Sequence, residues 1–111
     1  MLNIPSDLRV WVGASPIDMR KGCLSLAAMI TSELKHDPKS GQLFVFFGRY
    51  ARKVKIVYWD RNGFAMWYKT LAEGKYRPPR MDKASYSMSL SDLTLLLEGI
   101  DLMSAQRLKV V

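Results

Sequence analysis

The stretch from Leu43 to Leu71 constrains the fold of this chain more than any other. It holds Leu43-Phe44-Val45-Phe46-Phe47, a basic turn, and Val54-Lys55-Ile56-Val57-Tyr58-Trp59. After Asp60-Arg61-Asn62-Gly63 comes Phe64-Ala65-Met66-Trp67-Tyr68-Lys69. Three runs rich in aromatic and β-branched residues, separated by turn residues, predict an antiparallel meander. The first run is apolar on both faces, which predicts a central strand covered on at least one side by a helix. In the second, Val54, Ile56 and Tyr58 share one face while Lys53 and Lys55 lie on the other. In the third, Phe64, Met66 and Tyr68 oppose Ala65, Trp67 and Lys69. Asn62-Gly63 predicts a type I′ hairpin turn, because both residues tolerate the positive φ that it needs.

The flanking elements follow from spacing. Leu8-Arg9-Val10-Trp11-Val12 alternates and predicts a first strand, ended by Gly13. Two readings of the next segment stand. Ser15 can cap a helix with Pro16 at its first position. Alternatively, residues 15 to 21 form a turn and the helix begins near Gly22. Leu24, Leu26, Ala27, Ile30 and Leu34 recur at helical spacing, with Lys35 and His36 at the end that favours positive charge. Asp37-Pro38-Lys39-Ser40-Gly41 reads as a turn. Pro78 and Pro79 forbid helix, so residues 72 to 80 read as an extended, basic, exposed segment. Ser85 to Met88 can add an edge strand. Ser89 or Ser91 then caps a helix carrying Leu93, Leu96, Leu97 and Ile100, with Gly99 at its end. The expected fold is α+β: one domain over residues 1–103, an antiparallel β-meander with one helix from the N-terminal half packed on the sheet, and a short C-terminal helix. Residues 104–111 are expected to be a flexible tail.

With 111 residues the chain suits one core. It has no apolar run long enough to span a bilayer, so no membrane partner is expected. Neither is a signal peptide, because no basic region followed by an apolar one opens the chain. Cys23 is the sole cysteine, which rules out an internal disulfide and fits a reducing compartment such as the cytoplasm. The net charge is +7, and its location matters more than its size. Residues 49–83 hold ten Lys/Arg against three acids, so the whole excess lies there. A localised basic zone points to a polyanionic partner, of which nucleic acid is the commonest. The plainer reading is a solvated basic face.

Catalytic constellations are thin. One Cys and one His, far apart, make no zinc site, so no metal and no cofactor are expected. Cys23 reads as a small core residue and His36 as a helix-end residue. The acids that could serve a metal-dependent nuclease are Asp18, Asp37, Asp60 and Asp101. None pairs with another at a catalytic spacing. Asp37 and Asp60 suit turns, and Asp18 suits a helix start. No catalytic residue is assigned. The basic–aromatic zone carries the functional expectation. The candidate phosphate-binding cations are Arg20, Lys21, Arg49, Arg52, Lys53, Lys55, Arg61, Lys69, Arg77 and Arg80. Most of the aromatics are needed in the core. Trp59 and Trp67, read as sharing the face of Lys53, Lys55 and Lys69, are the candidates for stacking on exposed bases. Asp18 reads as a structural acceptor paired with Arg20. Arg20 itself reads as a cation that faces a partner.

Several motifs together resemble a known family. They are Pro16-Ile17-Asp18-Met19-Arg20-Lys21-Gly22; Pro38, Ser40-Gly41 and Leu43-Phe44-Val45-Phe46; Lys55-Ile56, Tyr58-Trp59-Asp60, Asn62-Gly63, Trp67-Tyr68-Lys69 and Leu71; and Leu96-Leu97-Glu98-Gly99-Ile100-Asp101. In this order they resemble the TnpB accessory protein of IS-sixty-six-type bacterial insertion sequences, which is distinct from the RNA-guided nuclease of the same name. The chain departs from that pattern near Cys23, where Phe or another bulky residue is usual, and at Thr70, where Arg is usual. The resemblance implies a bacterial protein that assists transposition without catalysing it. It also implies two protein partners, the element's larger transposase and another accessory protein. Two modes compete. In one, the basic zone binds the DNA ends of the element or the strand being transferred. In the other, the sheet edge or C-terminal helix docks on the transposase as an adaptor, without direct DNA contact, and the basic zone complements an acidic surface. A small basic nuclease is the reading from a different class.

Overall fold

The computed structural model describes residues 8–99. Its elements in chain order are β1 (Arg9–Gly13), α1 (Cys23–Ser32), β2 (Leu43–Phe47), β3 (Lys53–Asp60), β4 (Gly63–Thr70), β5 (Ser85–Ser89) and α2 (Leu90–Leu97). The five strands form one sheet in the order β4-β3-β2-β1-β5. The fold is α+β, as the sequence predicts, and the expected meander is β2-β3-β4, antiparallel throughout. The sheet as a whole is mixed. β1 runs parallel to β2, with Val10 opposite Leu43 and Val12 opposite Val45. A parallel neighbour needs a crossover connection, and α1 supplies it. β5 pairs antiparallel with β1 at the far edge.

β2 is central and all five of its residues are buried. Its period-two alternation feeds two cores. Phe44 and Phe46 meet Leu26, Ile30 and Leu34 on the α1 side. Leu43, Val45 and Phe47 join Val10, Val12, Val54, Ile56 and Tyr76 on the other side, where Leu93 and Leu96 of α2 close the cover. Leu26 and Ile30 share one helix face and are buried. Leu24, expected in the same stripe, is 76% exposed because the helical repeat turns it away from the face of Leu26 and Ile30.

Of the two readings for the start of α1, the structure takes the second. Ile17 donates its backbone N–H to the Phe47 carbonyl at 3.0 Å and bridges Gly48, so this segment extends the β1–β2 pairing and cannot be helical. Gly22, in extended conformation, precedes the helix with no side-chain cap. The hairpin between β3 and β4 also differs from expectation. Asp60 pairs with Gly63, which leaves Arg61-Asn62 as the loop, and the positive φ falls on Arg61 at 54°. Gly63 is therefore the first strand residue and not part of a type I′ pair. Ser89 caps α2 by accepting the Asp92 N–H at 3.1 Å, and Gly99 (φ 86°) follows its end. Ile100, Asp101 and the expected tail at 104–111 lie outside the described residues.

Ser89→Ala removes the oxygen that satisfies an orphan N–H of the first turn. It is expected to lower stability by about 1 kcal/mol. A shift of the urea midpoint at unchanged slope is the measurement that checks it.

Candidate nucleic-acid interface

The parallel β1–β2 pair decides where the positive charge goes. Because both strands point the same way, the chain leaves β1 at Gly13 and β2 at Phe47 on the same end of the sheet. The antiparallel partners enter or leave there too: β3 begins at Lys53, β4 ends at Thr70 and β5 begins at Ser85. Residues 14–22, 48–52 and 71–84 are therefore gathered at one end. Together with Lys53 they carry nine Lys/Arg (Arg20, Lys21, Arg49, Arg52, Lys53, Lys75, Arg77, Arg80, Lys83) against Asp18, Glu73 and Asp82. Six of the chain's seven net charges sit in this cluster.

Backbone hydrogen bonds hold the loops to one another. Leu71 N–H donates to the Arg52 carbonyl at 2.8 Å, and Tyr76 N–H donates to the Ala51 carbonyl at 2.6 Å. Ala14 N–H donates to the Ala84 carbonyl at 2.9 Å. The Arg52 guanidinium donates to the Ala72 carbonyl at 3.1 Å, so this cation is both oriented and exposed. Two concavities lie between the loops. One, of about 890 Å³, is bordered by Asp18, Arg49, Tyr50, Arg52 and Lys53. The other, of about 1000 Å³, is bordered by Arg49, Tyr50, Lys75, Arg77 and Arg80. Tyr86 borders the second, and burial pushes its phenol up to about 12.

Lys55 is a correction to the expected cation set. It is 4% exposed, and its ammonium donates to the Met19 carbonyl at 2.6 Å and the Lys21 carbonyl at 2.8 Å. It faces inward beside Phe46, its cross-strand neighbour, and pins the 18–21 loop onto the sheet. A buried ammonium must have such partners; they take two of its three N–H donors, and its burial keeps the group from a phosphate. Lys53, two residues earlier on the same face, is exposed. The Thr70 hydroxyl and the Lys53 ammonium draw the phenol of Tyr68 below its ordinary value.

The remaining candidates divide. Arg20, Lys21, Arg49, Arg52, Lys53, Arg77 and Arg80 are exposed and belong to the gathered end. Lys69 is exposed near that end but on the opposite face of β4 from Tyr68. Arg61 lies at the other end of the sheet, in the β3–β4 loop. The two tryptophans do not share a face. Trp59 pairs with Phe64 and Trp67 with Ile56, so the register sets Trp59 on the α1 side and Trp67 on the other. The Trp59 ring stands edge-on to Phe64 at 5.0 Å and carries the Lys39 ammonium 4.9 Å from its centroid. Neither borders the basic grooves. Tyr50 does, at 74% exposure, although the sequence singled out only Trp59 and Trp67 as exposed aromatics. Its position between two arginines in a turn, Arg49-Tyr50-Ala51-Arg52, is the sequence signal that marks it.

Asp18 and Arg20 form an exposed pair at 2.6 Å, and Asp18 also accepts the Arg20 backbone N–H at 2.9 Å. These bonds with Arg20 hold the Asp18 carboxyl down at about 2. The pair occupies the loop before α1, not its first turn. Asp37 accepts the Lys39 N–H in its own turn, and Asp60 ends β3. Among the described residues no three His, Cys, Asp or Glu groups come together as a metal site. Cys23 is half-buried at the start of α1, and the His36 ring lies 3.9 Å from that of Trp11. No helix among the described residues is long and apolar enough to cross a membrane.

Fold and surface together define a small basic α+β protein whose positive charge is collected at one end of a mixed sheet. The family model described as "IS66 Orf2 like protein" matches residues 8–107, and the chain belongs to that family. This places it with the accessory proteins associated with transposition of IS66-type insertion sequences. Two similar proteins come from Sinorhizobium fredii (strain NBRC 101917 / NGR234). "Uncharacterized protein y4jC" is 33% identical over 91% of this chain and 86% of its own length. "Uncharacterized protein y4hO" is 36% identical over 91% of this chain and 88% of its own length. No solved structure matches the chain.

Two outcomes check the geometry. Lys55→Met removes hydrogen bonds from a charged donor to two carbonyls and is expected to cost about 1.5–3 kcal/mol in denaturant unfolding. Lys53→Met, at an exposed site, is expected to change stability little. The Asp18 carboxyl, followed by NMR, should titrate with a midpoint near 2, and Arg20→Ala should return it toward 3.8. Its depressed value favours the folded state above the unfolded value, and this contribution is lost as pH falls through about 2. Because the pair is solvent-exposed, Arg20→Ala should leave thermal stability nearly unchanged.

Proposed function

We propose that this protein is a non-catalytic accessory of insertion-sequence transposition that binds DNA through the basic end of its sheet, in the bacterial cytoplasm. One observation carries the reading. The topology brings loops that are far apart in sequence to one surface, and six net positive charges come with them. Arg49, Arg52, Lys53, Arg77 and Arg80 are displayed beside two grooves, with the loop of Arg20 and Lys21 alongside. Phosphates are bound by such arrays, with release of counterions supplying much of the affinity. The element's own ends are the DNA proposed, and its transposase and second accessory protein are the accompanying partners.

A second reading rests on a different part of the molecule. β4 is a sheet edge eight residues long, with Trp67 and Tyr68 exposed at 42% and 44%. Such an edge can accept a strand from another protein. On this reading the transposase docks there, and the basic end complements an acidic surface.

Titration with the element's terminal repeat and a scrambled duplex, across a range of salt, separates the two. Duplex affinity is expected to fall linearly on a log–log plot as salt rises, with a slope near −0.9 for each phosphate neutralised. Arg52→Glu combined with Lys53→Glu should weaken binding to both sequences alike and lower the slope by about two. Absence of binding at low salt rejects DNA binding and favours docking. The isolated protein is expected to cut and join no strand with Mg²⁺ or Mn²⁺. Metal-dependent nicking that survives repurification, and is lost on changing one Asp to Asn, would contradict the non-catalytic reading.

A further inference from the structure

We infer that the basic end takes an unpaired nucleobase on the ring of Tyr50, so that single-stranded or frayed DNA is its preferred ligand over smooth duplex. The inference rests on the DNA-binding reading above and names the form of DNA bound. Tyr50 is 74% exposed and belongs to neither core cluster. It borders three concavities at once: the two already described and a third, of about 570 Å³, bounded by Arg52, Glu73, Lys75 and Arg77. The ring thus stands among the cations of all three: Arg49, Arg52 and Lys53 border the first, Arg49 returns in the second with Lys75 and Arg77, and Arg52 returns in the third with the same two.

The mount of the ring is firm. Gly48 N–H donates to the Lys53 carbonyl and Ala51 N–H to the Gly48 carbonyl, both at 3.0 Å. Ala51 takes a positive φ of 55°, and its carbonyl accepts from Tyr76, whose side chain is buried against Phe47. An exposed aromatic ring on a firmly held turn, with phosphate-binding groups around it, suits a strand that passes over it. Its bases can stack on the ring while its backbone meets the cations. In an intact duplex the base faces are already covered by their neighbours, so an exposed ring has nothing there to stack on. The other exposed aromatics lack this setting. One face of Tyr68 carries the Lys55 ammonium, 4.8 Å from its centroid, and Trp67 lies on the opposite face of β4.

The test is anisotropy titration of a labelled mixed-sequence single strand and its blunt duplex at one salt concentration, then across salt. Wild type should bind the single strand more tightly. Tyr50→Ala should weaken single-strand binding roughly five- to hundredfold, the range typical of losing one stacked base, and leave duplex binding within about twofold. Tyr50→Phe should retain the single-strand affinity, since the ring is kept. The salt slope should survive Tyr50→Ala, which removes no phosphate contact, whereas Arg52→Ala should weaken both ligands and lower the slope by about one. Equal affinity of wild type for the two DNAs, with neither changed by Tyr50→Ala, overturns the inference and leaves the DNA-binding reading standing. Failure to bind either DNA overturns both.

Discussion

β2 has no polar side chain to offer water on either face. That one fact dictates the layers of the molecule. Phe44 and Phe46 require a cover, and α1 provides it; Val45 and Phe47 require another, and α2 with the segment around Tyr76 provides that. A strand so buried must also satisfy its backbone on both edges, because an unpaired buried N–H or carbonyl is costly. β3 pairs with one edge and β1 with the other. Since α1 lies between β1 and β2 in sequence, β1 can pair alongside β2 in parallel, and the crossover places the helix on the sheet face that needs it. The rest of the architecture, including the location of the charge, follows from this pairing.

The gathered charge is sustained by backbone chemistry more than by ion pairs. Its loops are held by N–H to carbonyl bonds and by the ammonium of Lys55 on two carbonyls. The one ion pair among the described residues, Asp18 with Arg20, is exposed and contributes little. A surface built this way leaves its cations largely uncompensated, and like charges brought together in the folded state repel one another. A ligand that binds only the folded state relieves that repulsion and stabilises the fold by mass action. This supports the proposed DNA-binding reading, since solubility alone would be served as well by dispersed charge.

Much of this was legible in the sequence, and the remainder was not for identifiable reasons. The meander, the buried centre, the edge strand and the Ser89 cap are local patterns, and local patterns are what periodicity and turn residues report. The parallel partner of β2 is a long-range pairing that no local signal carries. The face of Trp67 was within reach of the sequence: a two-residue loop, whether at the expected Asn62-Gly63 or at the observed Arg61-Asn62, pairs odd residues of β3 with even residues of β4, which parts the two tryptophans. The start of α1 was left open because Ser15-Pro16 is a sound helix signal locally, and only the bond of Ile17 to Phe47 overrides it.

Lys53 and Lys55 show where such reading stops. They lie on one face of one strand, two residues apart, and composition gives them the same role. The 18–21 loop covers one and stops short of the other. Lys55 becomes a structural clamp because the Met19 and Lys21 carbonyls come to it, while Lys53, just beyond the cover, stays at the surface beside Arg52. The same division separates Tyr76 from Tyr50, one packed on Phe47 and the other left on the turn above it. Whether a cation or an aromatic ring serves the scaffold or the surface is therefore decided by which loop lies over it. In this fold the β1–β2 pairing makes that decision, by bringing the loops to the same end.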